Sequence, residues 1–306
     1  MFRRILVANR GEIALRVIRA AKGLGIETVA VFSEADRGAP WLDEADATVC
    51  IGPARADRSY LDAGSILQAA EQTGCQAVHP GYGFLAENAV FAARAEQQGI
   101  TFVGPGPAAI GRVGDKVEAK RTLAAAGIPT IPGSGGVVPG LEAARSEASR
   151  IGYPVLLKAV AGGGGRGMRL CEGESDLDRA FGEAAIEAEK AFGDGSLYLE
   201  KYIEGGRHVE FQVLCDAFGK GIHLGERECS IQRHHQKLIE ESPSPVMDAR
   251  TRDAMGERVA RAVAAIGYRN AGTVEFLRAK DGSLFFMEMN ARLQVEHPVT
   301  EMVTGI

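Results

Sequence analysis

Two glutamates are predicted to face each other across a hairpin near the end of the sequence. Residues 273–290, TVEFLRAKDGSLFFMEMN, contain an Asp-Gly pair between two apolar-rich runs, which is a strong hairpin signal. If Asp281 and Gly282 form the turn, Glu275 lies directly opposite Glu288, and a four-residue loop with the same centre gives the same pairing. The Cβ atoms of such a pair are about 4.5–5.5 Å apart.

Two buried carboxylates at this separation repel each other, so their charge needs compensation. A divalent cation supplies it, and Asn290, two residues beyond Glu288, points to the same face with an amide oxygen. Such hard oxygen ligands suit Mg²⁺ or Mn²⁺. The alternative is a solvent-facing strand edge with arginine neighbours.

The following segment, ARLQVEHPVTEMVTGI, carries polar side chains at alternating positions. In an extended chain, Arg292, Gln294 and Glu296 would share one face with Asn290. A row of this kind beside a metal pair is hard to explain as packing, and the alternative is a polar strand face in water.

Two lysines and a glycine run suggest an anion site. Lys116 opens a predicted helix, and Lys158 ends a buried apolar strand, where it either meets an anion or extends its stem towards water. The stretch AVAGGGGRGM (residues 159–168) follows Lys158. It is not a Walker A loop, because no GK[ST] follows it. Glycine has no Cβ, so the backbone N–H groups of a glycine loop between two strands can lie over phosphates. A flexible hairpin without a ligand explains the same glycines equally well.

A dense polar stretch covers residues 227–237, RECSIQRHHQK. His234 and His235 do not suit a common metal ion, because neighbouring residues of a strand point to opposite faces. The stretch therefore indicates an anion site or a hydrogen-bond network.

The first hundred residues alternate between strand and helix patterns, which predicts βαβ units and a parallel sheet. The first strand is not followed by GxGxxG, so a dinucleotide-dependent oxidoreductase loses its main support. After about residue 113, helices mix with strands of antiparallel type. We predict one domain over residues 1–113 and a second over 114–306, with a mobile subdomain at about 131–203.

Composition limits the remaining possibilities. The 306 residues are 45% hydrophobic with a net charge of −5, which does not favour nucleic acid or an anionic membrane as partner. Apolar runs stay far below the roughly 20 residues that span a bilayer. The five cysteines are scattered without a CxxC pair, which predicts a reducing cytoplasm rather than disulfides or a zinc site.

Seven stretches together resemble the biotin carboxylases, the ATP-grasp components of biotin-dependent carboxylases such as acetyl-CoA carboxylase. In family order they are ILVANRGEIALRVIRA, HPGYGFLAEN, GDK, KAVAGGGGRGM, EKYIEGGRHVEFQV, ERECSIQRHHQK and EMNARLQVEHPVTEMVTG. The resemblance implies an α/β chain: a Rossmann-like N-terminal (pre-ATP-grasp) domain, then an α+β ATP-grasp domain with a mobile lid.

The resemblance also implies site residues. Glu275, Glu288 and Asn290 match the metal ligands. The bicarbonate pocket corresponds to Lys237, Arg292, Gln294, Val295 and Glu296, with Glu296 as general base and Arg292 also near the biotin enolate. The ATP site corresponds to Lys116, Lys158, Gly162, Gly163, Gly164, Gly165, Arg166, Gly167, Met168, Glu200, Lys201, Ile203, His208, Gln232, His235 and Leu277.

The implied reaction is carboxylation of biotin on a separate biotin carboxyl carrier protein, with ATP, bicarbonate and Mg²⁺ or Mn²⁺. Carboxyltransferase subunits and a homodimer are the implied partners. Family chains continue into a C-terminal domain that supplies a second arginine for biotin, so this sequence is expected to lack part of the biotin side. The alternatives are a non-catalytic nucleotide-binding module and another ATP-grasp ligase, such as a carbamoyl-phosphate-forming enzyme.

Overall fold

The computed structural model describes residues 1–161, 168–234 and 236–306 of the chain. These residues form three sheets with helices packed on them. In these ranges, every helix is too short or too polar to cross a membrane. The predicted glycine loop, Gly162 to Gly167, and His235 lie outside the described residues.

A parallel sheet with the strand order β3-β2-β1-β4-β5 forms the first unit, as the strand–helix alternation predicts. Its strands are β1 (Arg4–Val7), β2 (Glu27–Ser33), β3 (Ala47–Gly52), β4 (Ala77–His79) and β5 (Thr101–Phe102). Its helices are α1 (Gly11–Gly23), α2 (Ala63–Gln72), α3 (Ala89–Gln97) and α4 (Pro107–Gly114), with short 3₁₀ helices at Glu34–Asp36, Pro40–Glu44 and Ala56–Arg58. Strand β3 and helix α4 were not predicted.

The loops that follow β1 and β4 meet at the carboxyl edge of this sheet. The two strands are hydrogen-bonded neighbours, although a long segment separates them in sequence. Asn9 joins their loops, because its Nδ2 donates to the carbonyl oxygens of Pro80 and Tyr82, each at 2.7 Å. Open α/β sheets bind ligands at such a change of strand order.

A small antiparallel sheet, β7-β6-β8, forms the second unit. Helix α5 leads into it, and two further helices cover it. The elements are α5 (Lys116–Ala125), α6 (Leu141–Ile151), β6 (Val155–Ala159), β7 (Met168–Cys171), α7 (Glu174–Phe192) and β8 (Leu197–Lys201). Asp115 caps α5 by accepting the N–H groups of Val117 and Glu118, which places Lys116 in the first turn.

A five-stranded antiparallel sheet, β11-β10-β9-β12-β13, carries most of the polar residues discussed above. Its elements are β9 (Arg207–Cys215), β10 (Gly221–Arg233), β11 (Gln236–Glu241), α8 (Ala249–Ala265), β12 (Asn270–Arg278), β13 (Leu284–Asn290) and α9 (His297–Thr304). Alternate residues of β9, such as Val209 and Phe211, pack in a core with Val259 and Val263 of α8. The residues between them face the other side of the sheet.

Candidate active site

The predicted hairpin pairing is confirmed, because Glu275 pairs with Glu288 in the β12–β13 ladder. Neither of the two expected loops, of two or of four residues, is present. The Ala279 N–H donates to the Ser283 carbonyl oxygen at 2.8 Å, so that three residues form the loop. A bulge in the ladder between Phe286 and Glu288 shifts the register back by one residue.

The carboxylate pair belongs to a row of charged residues across four strands. Arg227 pairs with Glu210, Glu210 with Glu275, and Glu275 with Glu288, in the order β10-β9-β12-β13. Directly paired residues share a face of the sheet. Three carboxylates and one guanidinium therefore lie side by side, which concentrates negative charge at the centre of the sheet.

Lys237 of β11 compensates much of this charge. Its Nζ lies 3.0 Å from Glu275 Oε1 and 2.5 Å from Glu296 Oε1, and it also donates to Glu210 Oε2. Burial disfavours the ammonium, but the three carboxylates outweigh burial and raise the pKa of Lys237. Burial raises the pKa of Glu296, but Lys237 outweighs burial, so the net shift of this pKa is downward. At neutral pH, Glu296 is thus an ionised proton acceptor.

Glu275 is the most closely surrounded of the predicted metal ligands. Its Oε1 accepts from Asn290 Nδ2 at 2.8 Å and from Gln294 Nε2 at 3.2 Å, and its Oε2 lies 3.1 Å from His208 Nε2. That ring nitrogen is poorly aligned for a hydrogen bond, and it forms none with the described residues. Burial raises the pKa of Glu275, but His208 and Lys237 lower it by more than burial raises it. The net shift is therefore downward.

The donor chemistry of the predicted metal set fits a hard cation. Glu288 is 41% exposed and lies 3.4 Å from Lys116 Nζ, so its carboxylate can turn towards a ligand. Together with Glu275 and Asn290 it offers only carboxylate and amide oxygens, which Mg²⁺ and Mn²⁺ prefer. Two other clusters, His208–Glu210–Glu275 and Glu210–Cys229–Glu296, also bring ligand atoms together. We assign them no metal, because Arg227 and Lys237 already bind Glu210.

Arg227 organises the sheet from a fully buried position. It donates to Glu210 Oε1 at 2.7 Å, Gln212 Oε1 at 2.9 Å, Thr300 Oγ1 at 2.7 Å and Gln294 Oε1 at 2.8 Å. It thereby ties β9 to α9 and orients the predicted bicarbonate ligand Gln294. Of the two interpretations of the polar stretch, the hydrogen-bond network is therefore the correct one at Arg227.

The segment after β13 is not extended throughout, which corrects one expectation. Residues 291–296 bend, and Glu296 adopts φ −81° and ψ 3° before α9 begins. Gln294 and Glu296 nevertheless meet the network, through Glu275 and Lys237 respectively. The side chain of Val295 does not join them, since this residue is 60% exposed.

A cleft of about 340 Å³ lies beside this network, between the small sheet and the large one. Its volume is in the range of small-molecule sites. Eight predicted ATP-site residues line it: Lys158, Met168, Glu200, Lys201, Ile203, His208, Gln232 and Leu277. Lys201 contributes its backbone and stem, because its Nζ donates to the carbonyl oxygens of Gly152 and Tyr153. Gln232 Nε2 lies 2.8 Å from His208 Nδ1.

Glu200 links two lysines at the inner wall of this cleft. Lys158 Nζ lies 2.5 Å from one of its oxygens and Lys120 Nζ 2.6 Å from the other. The carboxylate side chain is only 4% exposed. Burial raises the pKa of Glu200, but Lys158 and Lys120 outweigh burial, so that the net shift is downward. Lys116 stands apart from the cleft lining, beside Glu288.

Comparisons with known proteins identify the arrangement. Residues 1–110 match the domain family described as "Biotin carboxylase, N-terminal domain", and residues 115–306 match "Carbamoyl-phosphate synthase L chain, ATP binding domain". Over its full length, the chain is 54% identical to Biotin carboxylase 1 of Bacillus subtilis and covers 68% of it. The chain belongs to the biotin carboxylase family. It is also 54% identical, over 99% of its length, to the chloroplastic Biotin carboxylase 2 of Populus trichocarpa, of which it covers 58%.

Solved structures of biotin carboxylases share the whole fold. The Campylobacter jejuni enzyme, in a β,γ-ATP complex, superposes with a TM-score of 0.97 at 53% identity, covering all of this chain and 69% of that one. The biotin carboxylase domain dimer of Hydrogenobacter thermophilus 2-oxoglutarate carboxylase, solved with MgADP, ADP and bicarbonate, gives 0.95 at 53% identity, with 67% of that chain covered. The α/β chain with an ATP-grasp second part is therefore confirmed.

Sequence reasoning missed two polar partners in this biotin carboxylase site. Glu210 is buried at the centre of the charged row, and Lys120 shares Glu200 with Lys158. A signal for Glu210 was present, because His208, Glu210 and Gln212 alternate with apolar residues along β9. No comparable signal marks Lys120, which lies on a helix with other charged residues.

Proposed function

We propose that this chain catalyses the ATP- and bicarbonate-dependent carboxylation of biotin presented by a carrier protein, the first half-reaction of a biotin-dependent carboxylase. The observation that carries the proposal is the convergence of Lys237, Gln294 and Glu296 on the carboxylate row beside the 340 Å³ cleft. The bicarbonate and MgADP of the Hydrogenobacter complex support these substrates for the present chain.

We assign ATP to the cleft, with Leu277 and Ile203 against the base and Lys158 and Lys116 towards the phosphates. Glu275, Glu288 and Asn290 would hold Mg²⁺ or Mn²⁺, which neutralises phosphate charge when it is bound. Lys158 must then exchange its bond to Glu200 for a phosphate oxygen. The loop from Gly162 to Gly167, with Arg166, and His235 lie outside the described residues and remain predicted nucleotide contacts.

We assign bicarbonate to Lys237, Arg292, Gln294 and the backbone of Val295. The Lys237 ammonium lowers the pKa of Glu296. A bicarbonate anion beside Lys237 offsets part of this effect, which raises the pKa of Glu296 and makes it a better base. Glu296 accepts the bicarbonate proton, and the freed oxygen attacks the γ-phosphorus while ADP leaves. The resulting carboxyphosphate breaks down to CO₂ and phosphate. Phosphate removes the proton from the biotin ureido nitrogen, which attacks CO₂ while Arg292 stabilises the enolate.

We further propose the domain division at residue 113, with residues 131–203 as a lid that excludes water from the intermediate. The two matched domain families, which end at 110 and begin at 115, support the boundary. The carrier protein, the carboxyltransferase, a homodimer and a cytoplasmic location remain predictions. The five unpaired cysteines suit a reducing compartment.

Bicarbonate-dependent ATP cleavage in the presence of Mg²⁺ and free biotin tests the proposal. We expect ADP release to rise with bicarbonate and to fall about 10²- to 10⁴-fold in Glu296→Gln, the typical contribution of a general base. The control is Glu257→Gln on α8, an exposed glutamate that pairs with Arg261 of the same helix. ADP release that does not respond to bicarbonate would refute the proposal, and ATP binding without cleavage, seen by calorimetry, would favour a non-catalytic nucleotide-binding module.

A further inference from the structure

We propose that Glu87 is a positioning residue that orients Arg292 for its bicarbonate and biotin contacts. The inference rests on the function proposed above and extends it to the first unit of the chain. Glu87 lies in the loop after β4, more than 200 positions before Arg292. No substrate contact is assigned to it.

Glu87 holds both the backbone and the side chain of the segment that carries Arg292. Its Oε1 accepts the N–H of Ala291 at 2.9 Å, and its Oε2 accepts Arg292 Nε–H at 2.7 Å. The two bonds use different oxygens and join consecutive residues. One carboxylate therefore fixes the path of the chain after β13 and the plane of the guanidinium together.

The loop that carries Glu87 is itself restrained at both ends. At its start, Asn9 Nδ2 donates to the carbonyl oxygens of Pro80 and Tyr82. At its end, Asn88 caps α3 by accepting the N–H of Phe91 at 2.8 Å. Glu87 directly precedes this cap, so its position follows from the start of the helix.

The remaining bonds of Arg292 leave a defined part of its guanidinium available. Nη1 donates to the Leu293 carbonyl oxygen at 3.1 Å, and Nη2 donates to Asn290 Oδ1 at 3.2 Å. A guanidinium has five N–H groups. Counting Glu87, three are bonded among the described residues and one remains on each Nη. With Nε held by Glu87, each Nη thus keeps one N–H group for a planar anion.

The pair contributes little to the stability of the fold. The side chains of Arg292 and Glu87 are 22% and 41% exposed, and solvent screening makes such partly exposed ion pairs weak contributors to stability. Other ion pairs already join the two parts of the chain, including Glu96 with Arg269 at 2.9 Å. A role in holding Arg292 therefore explains Glu87 better than a role in holding the units together.

Glu87→Gln tests the inference, because the amide NH₂ cannot accept from Arg292 Nε while Oε1 can still accept from Ala291. We expect kcat/KM for bicarbonate to fall at least about tenfold, since small misplacements of a positioning group are costly, with KM for ATP unchanged. Glu87→Asp, which keeps the charge, should recover part of the loss. The matched control is Glu96→Gln, which breaks the ion pair of a glutamate as exposed as Glu87 and should behave as the parent chain.

A measurement independent of catalysis separates this inference from the proposed function. The ¹⁵Nε–¹H signal of Arg292, assigned by its loss in Arg292→Lys, should be protected from solvent exchange in the parent chain and unprotected in Glu87→Gln. Unchanged protection would overturn the inference even if the chain is active. A chain without bicarbonate-dependent ATP cleavage would refute the proposed function while this signal still tests the positioning. Equal losses for bicarbonate and ATP would also overturn the inference, since they indicate general loosening.

Discussion

Replacing Glu200 by glutamine is expected to destabilise the chain strongly. Glu200 is shared by Lys120 and Lys158, and the three side chains are only 4%, 17% and 17% exposed. Glutamine has nearly the same shape but leaves two largely buried ammonium groups without a counter-charge. Removing one partner of a buried ion pair costs about 3–5 kcal/mol, and we expect a loss near 3 kcal/mol because the lysines retain some contact with water.

The dependence of this loss on pH follows from the direction of the pKa shift. Lys158 and Lys120 lower the pKa of Glu200 below its ordinary value, despite burial. A carboxylate with a lowered folded-state pKa stabilises the fold above its unfolded-state pKa, and this stabilisation disappears as pH falls through the folded-state pKa. The difference between the parent chain and Glu200→Gln should therefore be constant from about pH 8 to pH 5 and shrink below that.

Urea unfolding of both chains across this pH range measures the difference directly. Glu187→Gln is the control within the same unit, because Glu187 binds Arg169 at 2.5 Å with both side chains about two-fifths exposed. It should cost at most about 1 kcal/mol at every pH. Equal losses in the two variants, or a loss for Glu200→Gln that persists unchanged at pH 3, would refute the charge-sharing argument.

Three further predictions concern the charged row. Glu288→Gln should raise KM for Mg-ATP about tenfold in steady-state assays while changing the unfolding free energy by less than about 1 kcal/mol, because this carboxylate is 41% exposed; equal losses would count against a metal role. Arg227→Lys should lower the unfolding free energy by about 3 kcal/mol or more in urea, since an ammonium offers three donors where a guanidinium offers five. Lys237→Met should leave calorimetric ATP affinity nearly unchanged but abolish the response of ADP release to bicarbonate, and a retained response would remove Lys237 from the bicarbonate site.

The β12–β13 hairpin illustrates how far local rules reach. The Asp-Gly signal and the twofold alternation of strands correctly predicted that Glu275 faces Glu288. The route to that register was wrong, because a three-residue loop and a later bulge each shift the pairing by one residue and cancel. Bulges depend on packing with neighbouring strands, which the hairpin sequence alone does not contain.

The buried network was harder to predict, because its members meet only through the fold. Arg227 contacts Thr300 and Gln294, which lie 73 and 67 residues after it in the sequence. The order of the strands decides these contacts, and no spacing rule encodes it. Glu87 is a similar case, since its partner belongs to another unit of the chain. By contrast, the parallel first unit followed from its periodic alternation of strands and helices.

Within the described ranges, the cations assigned to phosphates, bicarbonate and biotin already have carboxylate partners. The pairs are Lys116 with Glu288, Lys158 with Glu200, Lys237 with Glu210, Glu275 and Glu296, and Arg292 with Glu87. Substrate anions therefore enter by ion exchange rather than by capture at bare positive charge. Because their charge is already balanced or exceeded by carboxylates, these cations project little positive field into solvent. Nucleotide and bicarbonate should therefore arrive without favourable electrostatic steering, and their association rates should not fall as ionic strength rises.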